Sequence, residues 1–121
     1  MKRVKRYISL GFSFKYAIEG MRIVWHERNF KIQILLLVIA LLLSLVLRLS
    51  RIQFALITVV GAAVLALEMI NTALEVIADA VHPHFHPMIG LAKDISAGAV
   101  LVMSLAALIV GVVLFGPALI H

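Results

Sequence analysis

Three long stretches of this sequence contain no charged residue, and they constrain the fold more than any other feature. They run from Gln33 to Leu47, from Ile52 to Leu67 and from Ile95 to Ile120. Hydrophobic side chains make up 64% of the chain and charged ones 14%, whereas soluble domains average about 45–50% and about 25%. We therefore expect an all-α integral membrane protein, which excludes a soluble enzyme and a disordered chain. The absence of cysteine also excludes a disulfide framework and a thiolate metal site.

The segment before the first apolar stretch is predicted to be an amphipathic helix over residues 2–28. Apolar side chains recur there at steps of three and four residues: Tyr7, Leu10, Phe14, Ile18, Met21 and Trp25. Most of the basic side chains fall outside this stripe. A helix with an aromatic face and a basic face is typical of one that lies in the plane of the membrane interface.

Three membrane-spanning helices are predicted, at about residues 31–47, 52–81 and 95–116, so that residues 1–121 form a single domain. The second span has thirty residues, which at about 1.5 Å each exceed the hydrocarbon thickness of about 30 Å. Its end must therefore project out of the membrane. A polar loop from His82 to Asp94 is expected to follow, and Pro117 is expected to end the third span.

The distribution of basic residues predicts the orientation. Eight of the eleven precede the first apolar stretch: Lys2, Arg3, Lys5, Arg6, Lys15, Arg22, Arg28 and Lys31. Only Arg48 and Arg51 stand in the turn after it, so the N-terminus is expected on the cytoplasmic side of the cell membrane. Two crossings then return the end of the second span to that side. The net charge of +5 thus reflects membrane topology rather than nucleic-acid binding.

The second span carries a stripe of polar side chains. Glu68, Asn71, Glu75 and Asp79 are spaced by three, four and four residues, which places them on one face of a helix. Like charges one turn apart repel each other unless a cation lies between them, and carboxylates are natural ligands of Mg²⁺. A carboxylate at the depth expected for Glu68 is costly and indicates a functional site. Glu27 and Lys93 can lie at the same depth.

Two segments carry a specific pattern: Glu68-x-x-Asn71-Thr72-Ala73-Leu74-Glu75-x-x-x-Asp79 and Lys93-Asp94-x-x-Ala97-Gly98-Ala99-Val100. This pattern resembles the signature of the small prokaryotic diacylglycerol kinase family, with one departure at Ala78, where a valine is usual. The segments Glu27–Phe30 and Gly111–Pro117 look more like the Gram-positive branch, whose members phosphorylate undecaprenol.

The resemblance implies an ATP-dependent lipid kinase of the bacterial cell membrane that acts as a homotrimer, with active sites shared between subunits and Mg²⁺ as cofactor. It implies Glu68 as the general base for the lipid hydroxyl and Asn71 as a polar group that orients the reactants. It implies Glu27 and Glu75 as Mg²⁺ ligands. The nucleotide site would include Lys93, Asp94, Glu75, Asp79 and His86.

Several alternatives stay open at this point. The lipid alcohol is undecaprenol or diacylglycerol. A function of another class is a small proton-coupled transporter that uses Glu68 as its intramembrane carboxylate, and a purely structural membrane subunit is a third. His82, His84 and His86 are interpreted as solvated loop residues rather than as a zinc site, because no acidic fourth ligand is adjacent.

Overall fold

A computed structural model describes residues 10–81, 84 and 86–120 of the chain. These residues form four helices: α1 (Leu10–Val24), α2 (Arg28–Val46), α3 (Arg51–Val81) and α4 (Pro87–Ile120). Helix α3 is central, because it packs most extensively against α4, next against α2, and also contacts α1. Residues 2–9 of the predicted surface helix, and His82, lie outside the described residues.

The lengths of these helices separate α1 from the other three. Helices α2, α3 and α4 contain 19, 31 and 34 residues, and each is long and apolar enough to cross a membrane. At about 1.5 Å per residue they measure about 28, 46 and 51 Å, against a hydrocarbon core of about 30 Å. The described part of α1 has 15 residues and measures about 22 Å, which is too short to cross. The prediction of an all-helical membrane protein with three candidate spans is thus confirmed.

The junction of α1 and α2 corrects the predicted end of the first helix. We expected one helix through residue 28, but α1 ends at Val24, and Glu27 takes the N-cap position of α2 with an extended backbone. The Glu27 N–H donates to the Val24 carbonyl at 2.8 Å, which closes the turn. Val24 and Phe30 are both buried. Six residues apart, they would lie about 120° apart around one straight helix, and the turn allows both to face inward.

The turn between α2 and α3 is fixed by a cap on each side. At the end of α2, the Leu49 N–H donates to the Ser44 carbonyl at 3.0 Å and the Arg48 N–H to the Leu45 carbonyl at 3.2 Å. This is a Schellman motif, with Arg48 in the left-handed region at φ 57°. At the start of α3, Ser50 and Gln53 form a capping box: each main-chain N–H donates to the other's side-chain oxygen, at 2.9 and 3.2 Å. The connection between α2 and α3 is therefore short.

Arg48→Gly is expected to stabilise the protein, because glycine adopts the left-handed conformation without the steric cost that arginine bears there. We expect a gain of up to about 1 kcal/mol in the free energy of unfolding, measured by thermal unfolding in one detergent. Arg51→Gly is the matched control: it removes the same charge, but from a right-handed position within α3, so it should leave the stability unchanged or lower it. Equal effects of the two substitutions would contradict the backbone explanation.

Helix α4 extends beyond the predicted third span in both directions. The expected loop through Asp94 is wrong from residue 87 onward, because Pro87 begins the helix and Gly90, Lys93 and Asp94 are all helical. Proline is favoured at the first helical position, where the missing N–H has no intrahelical partner in any case. The prediction that Pro117 ends the helix is also wrong, since α4 continues to Ile120. The φ angle of proline suits a helix, and spanning helices tolerate its lost hydrogen bond.

The buried surface of the single chain is small. One face of α3 supplies most of it, with Ile57, Val64, Glu68 and Ala78 buried. In contrast, α4 contains no buried residue, and many large apolar side chains on α2 and α4 are exposed. Such surfaces are stable only against lipid or against another chain.

Candidate active site

The polar stripe of α3 runs from the interior of the helix bundle to its surface. Glu68 is only 7% exposed, and it lies on the same face of α3 as the buried Val64. Asn71 is half-buried, and Glu75 and Asp79 are exposed. From Glu68 to Asp79 the stripe covers about 16 Å of helix axis. It therefore offers a desolvated carboxylate at one end and solvated carboxylates at the other.

The middle of the stripe holds an amide beside a carboxylate. The Asn71 side-chain Nδ2 donates to Glu75 Oε1 at 3.4 Å. The Asn71 Oδ1 atom is buried and has no hydrogen-bond partner among the described residues. Thr72 next to it donates through its hydroxyl to the Glu68 carbonyl at 3.0 Å, so its side chain is engaged with the backbone of α3. The stripe thus contains one buried oxygen, Asn71 Oδ1, that could accept a hydrogen bond or bind a cation.

An ion pair connects the end of the stripe to α4. Lys93 Nζ lies 2.7 Å from Asp79 Oδ1, across the interface of α3 and α4. The side chains are 36% and 68% exposed, and exposed ion pairs of this kind contribute little to stability. Its main consequence is positional, because it holds the ammonium group of Lys93 at the exposed end of the stripe. The prediction that Lys93 meets the stripe is confirmed, and Asp79 is its partner.

The remaining predicted site residues lie apart from this bridge. Glu27 is exposed at the start of α2, and its side chain makes no hydrogen bond or ion pair with another described residue. Asp94 is exposed on α4. His86 precedes α4, and its Nδ1 accepts the Met88 N–H at 3.2 Å. Sequence reasoning placed His86 in a loop and missed this cap, although His-Pro before a helical segment carries the signal of a helix start.

The donor set of the stripe fits Mg²⁺, although it does not enclose a metal. Among the described residues, no three histidine, aspartate or glutamate side chains come together. However, Mg²⁺ in phosphoryl-transfer sites uses one or two carboxylates plus substrate phosphates and water. The Glu75 carboxylate and the unpaired Asn71 Oδ1 are hard oxygen donors of this kind.

A groove opens between α2, α3 and α4 within the apolar part of the bundle. Its volume is about 300 Å³. Small residues line it on two helices, namely Gly61, Ser104, Ala107 and Gly111, and Gln33 lines it on α2. The Gln33 Oε1 atom is buried and has no hydrogen-bond partner in the described part of the chain. The sequence pattern had indicated no role for Gln33.

A match to a family model shows which protein family this chain belongs to. A family model described as prokaryotic diacylglycerol kinase matches residues 15–115, which include α2, α3 and most of α4. The chain belongs to the prokaryotic diacylglycerol kinase family. The resemblance of the two signature segments is thereby confirmed, and with it the prediction of a member of a lipid kinase family.

Two relatives of this diacylglycerol kinase family member carry kinase names. A Synechocystis protein named diacylglycerol kinase is 38% identical over 109 residues, which cover 88% of this chain and 62% of that protein. A Bacillus subtilis protein named undecaprenol kinase is 32% identical over 110 residues, which cover 88% of this chain and 89% of that protein. The chain thus spans less than two thirds of the Synechocystis relative but nearly all of the Bacillus relative.

Proposed function

We propose that this protein transfers the γ-phosphoryl group of ATP to the hydroxyl of a membrane lipid alcohol, with undecaprenol as the preferred substrate and Mg²⁺ as cofactor. One observation carries the proposal: a carboxylate that is only 7% exposed, on the same helix face as an Asn71–Glu75 pair and a Lys93–Asp79 bridge. The buried end suits a lipid hydroxyl, and the exposed end suits a nucleotide. The family supports phosphoryl transfer as the reaction.

Each residue of the site has one role in the proposed reaction. Glu68 accepts the proton of the lipid hydroxyl as the lipid oxygen attacks the γ-phosphorus and ADP leaves. The buried position of Glu68 places its carboxylate where a lipid hydroxyl can reach it. Lys93 and Asp94 lie toward the phosphates, where the ammonium group of Lys93 balances the charge that develops during transfer. Asp79 orients Lys93, and Asn71 orients Glu75. When bound, Mg²⁺ neutralises phosphate charge, and Glu75 would hold it, with Glu27 from the start of α2.

We place this chemistry on the cytoplasmic side of the cell membrane, with α1 in the plane of the interface. The excess of basic residues before α2 supports this orientation. The described part of α1 is too short to cross. It exposes Phe14 and Ile18 alongside Lys15 and Arg22, and Trp25 directly after it is also exposed. Such a combination is typical of interfacial helices.

The alternative function is a proton-coupled transporter with four spans, and the helix lengths argue against it. Only three of the described helices are long enough to span. Because the sequence has no cysteine, a single Ile120→Cys substitution tests the topology without background labelling of other cysteines. Labelling of this cysteine by an impermeant reagent added outside intact cells supports three spans, whereas protection until the cells are lysed supports four.

The lipid substrate is tested by competition. Undecaprenol is expected to accept phosphate about tenfold faster than diacylglycerol at equal mole fraction in vesicles, since even a single methylene group in a hydrophobic pocket is discriminated by about 10- to 200-fold. The alignment with the undecaprenol kinase of Bacillus subtilis, which covers nearly all of both chains, supports this order. The reverse order would make diacylglycerol the substrate, in line with the name of the Synechocystis relative. No transfer to either lipid would contradict the kinase proposal itself.

We further propose a homotrimer, as the family resemblance implies. The exposed apolar faces of α2 and α4 and the groove between them support burial against another copy. Small residues in a spanning helix permit close approach of a neighbour.

Gly111→Leu tests this assembly. A Cβ atom at Gly111 meets nothing within 4 Å in the single chain, so the substitution should be tolerated by a monomer. We expect it to weaken the assembly by about 1–3 kcal/mol through overpacking, measured as the mass of the protein in detergent by light scattering. Gly116→Leu is the control, because Gly116 is equally open but does not line the groove. A protein that is monomeric before any substitution would refute the trimer.

A further inference from the structure

Helices α2 and α3 approach each other closely where Leu37 packs onto Gly61. A Cβ atom at Gly61 would collide with Leu37 Cδ1 and would lie 3.1 Å from Leu37 Cγ. Leu37 stands ten residues before Leu47, the C-cap of α2, and Gly61 stands ten residues after Arg51, the first residue of α3. A contact at equal distances from the connecting turn means that the two helices run antiparallel beside each other.

This contact determines which residues of the two helices share one level. Seven residues back from Leu37 lead to Phe30 on α2, and seven residues on from Gly61 lead to Glu68 on α3. A step of seven residues returns to within about 20° of the same helix face, about 10 Å further along the axis. Phe30 and Glu68 therefore face each other across the interface of α2 and α3. Both are buried, with 3% and 7% of their surface exposed.

The other side of the Phe30 ring lies toward α1. Phe30 lines a shallow depression together with Ile18 and Met21 of α1 and with Trp25 directly after it. Helix α1 also contacts α3. The phenyl ring thus lies between the Glu68 carboxylate and α1.

Phe30 shields Glu68 from one side only. Val64 lies one turn before Glu68 on the same face of α3, and it lines the apolar groove between α2, α3 and α4. Phe30 is not part of that lining. The ring therefore leaves the side of the carboxylate toward the interior of the bundle for a substrate.

A shield over the base has a chemical consequence in a phosphoryl-transfer site. A carboxylate that takes a proton from a lipid hydroxyl can take one from water as well. Water would then attack the γ-phosphorus, its proton would pass to Glu68, ADP would leave, and inorganic phosphate would form. Exclusion of water from the site suppresses this competing hydrolysis.

We propose that Phe30 determines the choice of phosphoryl acceptor: its ring covers the Glu68 carboxylate on the side of α1 and keeps water from replacing the lipid hydroxyl. This role rests on the proposed kinase function, whereas the contact of Phe30 with Glu68 does not. Phe30 acts by excluding water and takes no part in proton transfer.

The experiment measures the release of inorganic phosphate from ATP labelled at the γ-position. It uses the full-length protein in phosphatidylcholine vesicles that contain no lipid alcohol. Hydrolysis is expected to rise by about tenfold in Phe30→Ala and less in Phe30→Val, while Phe30→Leu stays within about twofold of the original rate. When undecaprenol is added, the share of phosphate transferred to the lipid should fall in the order leucine, valine, alanine.

Phe54→Ala is the matched control for a loosened helix interface. Phe54 is a partly buried phenylalanine of α3, fourteen residues and about 21 Å from Glu68 along the axis. Its loss should lower thermal stability without raising hydrolysis. An equal rise in Phe54→Ala, or an unchanged rate in the folded Phe30 variants, would overturn the role of Phe30. If Phe30→Ala does not fold, the comparison of valine with leucine decides.

The contact itself is tested without kinase activity. Because the chain has no cysteine, the pair Phe30→Cys with Glu68→Cys can be oxidised, and a disulfide requires Cβ atoms about 3.5–4.5 Å apart. We expect an intrachain disulfide in this pair and none in Phe30→Cys with Ala66→Cys, since Ala66 is exposed on another face of α3.

Equal disulfide yields in the two pairs, or no disulfide in either, would overturn the contact of Phe30 with Glu68. If the unsubstituted protein phosphorylates no lipid alcohol, the kinase function fails, and with it the role of Phe30 in acceptor choice. The disulfide yields still decide the contact in that case.

Discussion

Glu68→Gln is expected to lower kcat for phosphoryl transfer to the lipid by about 10²- to 10⁴-fold, the range that a positioned general base contributes. The amide keeps the size of the side chain and cannot accept the proton of the lipid hydroxyl. Because Glu68 is 7% exposed, replacing a buried carboxylate by a neutral amide should not lower thermal stability. The measurement is transfer of labelled γ-phosphate from ATP to undecaprenol in vesicles.

Glu19→Gln serves as the matched carboxylate control. Glu19 lies on α1, where its only described ion pair is with Arg22 at 3.3 Å, and both side chains are largely exposed. We expect it to retain activity within about twofold, since exposed pairs of this kind contribute little. A Glu68→Gln protein that is folded and retains more than about a tenth of the activity would remove Glu68 from the role of base.

Lys93→Met is expected to produce the second large effect, a fall in kcat of about 10²- to 10³-fold. A loss of this size follows the removal of one group that stabilises charge in the transition state. Methionine keeps most of the apolar length of the side chain and removes the ammonium group that lies 2.7 Å from Asp79. Asp79→Asn should cost less, because the amide oxygen still accepts a hydrogen bond from Lys93. Steady-state kinetics at saturating lipid, with ATP varied, measures both variants.

An exchange of the two charges separates catalysis from packing. The double substitution Asp79→Lys with Lys93→Asp keeps an ion pair between α3 and α4 and reverses its direction. We expect it to recover thermal stability but not activity, since the cation would then project from α3 rather than from α4. Recovered activity in the exchanged protein would mean that Lys93 acts only as a link between the two helices.

Much of the architecture could be predicted from the sequence. The charge-free stretches determine three spanning segments because no soluble fold can bury so many apolar residues, and the spacing from Glu68 to Asp79 determines a single polar face because the helical repeat is fixed. Helix ends were less predictable. The expected loop before residue 95 is helical from Pro87, because polar side chains exclude a segment from the hydrocarbon but do not exclude it from a helix.

Contacts between helices required the tertiary structure. The sequence placed Lys93 near the stripe by membrane depth alone, whereas the packing of α3 against α4 selects Asp79 as its partner. The roles of Glu27 and Asp94 remain predictions of the family pattern. Packing also leaves Gln33 Oε1 and Asn71 Oδ1 buried without partners, which no spacing rule could indicate.

The sequence by itself thus determined that this chain is a membrane protein with one polar helix face, and which family it belongs to. The first two properties depend on composition and on the geometry of one helix at a time, and the family follows from the two signature segments. Tertiary structure alone decided that Asp79 holds Lys93 and that Glu68 lies on the buried face of α3. The physical reason is that a hydrogen bond between segments depends on positions within about 3 Å, which the packing of whole helices sets.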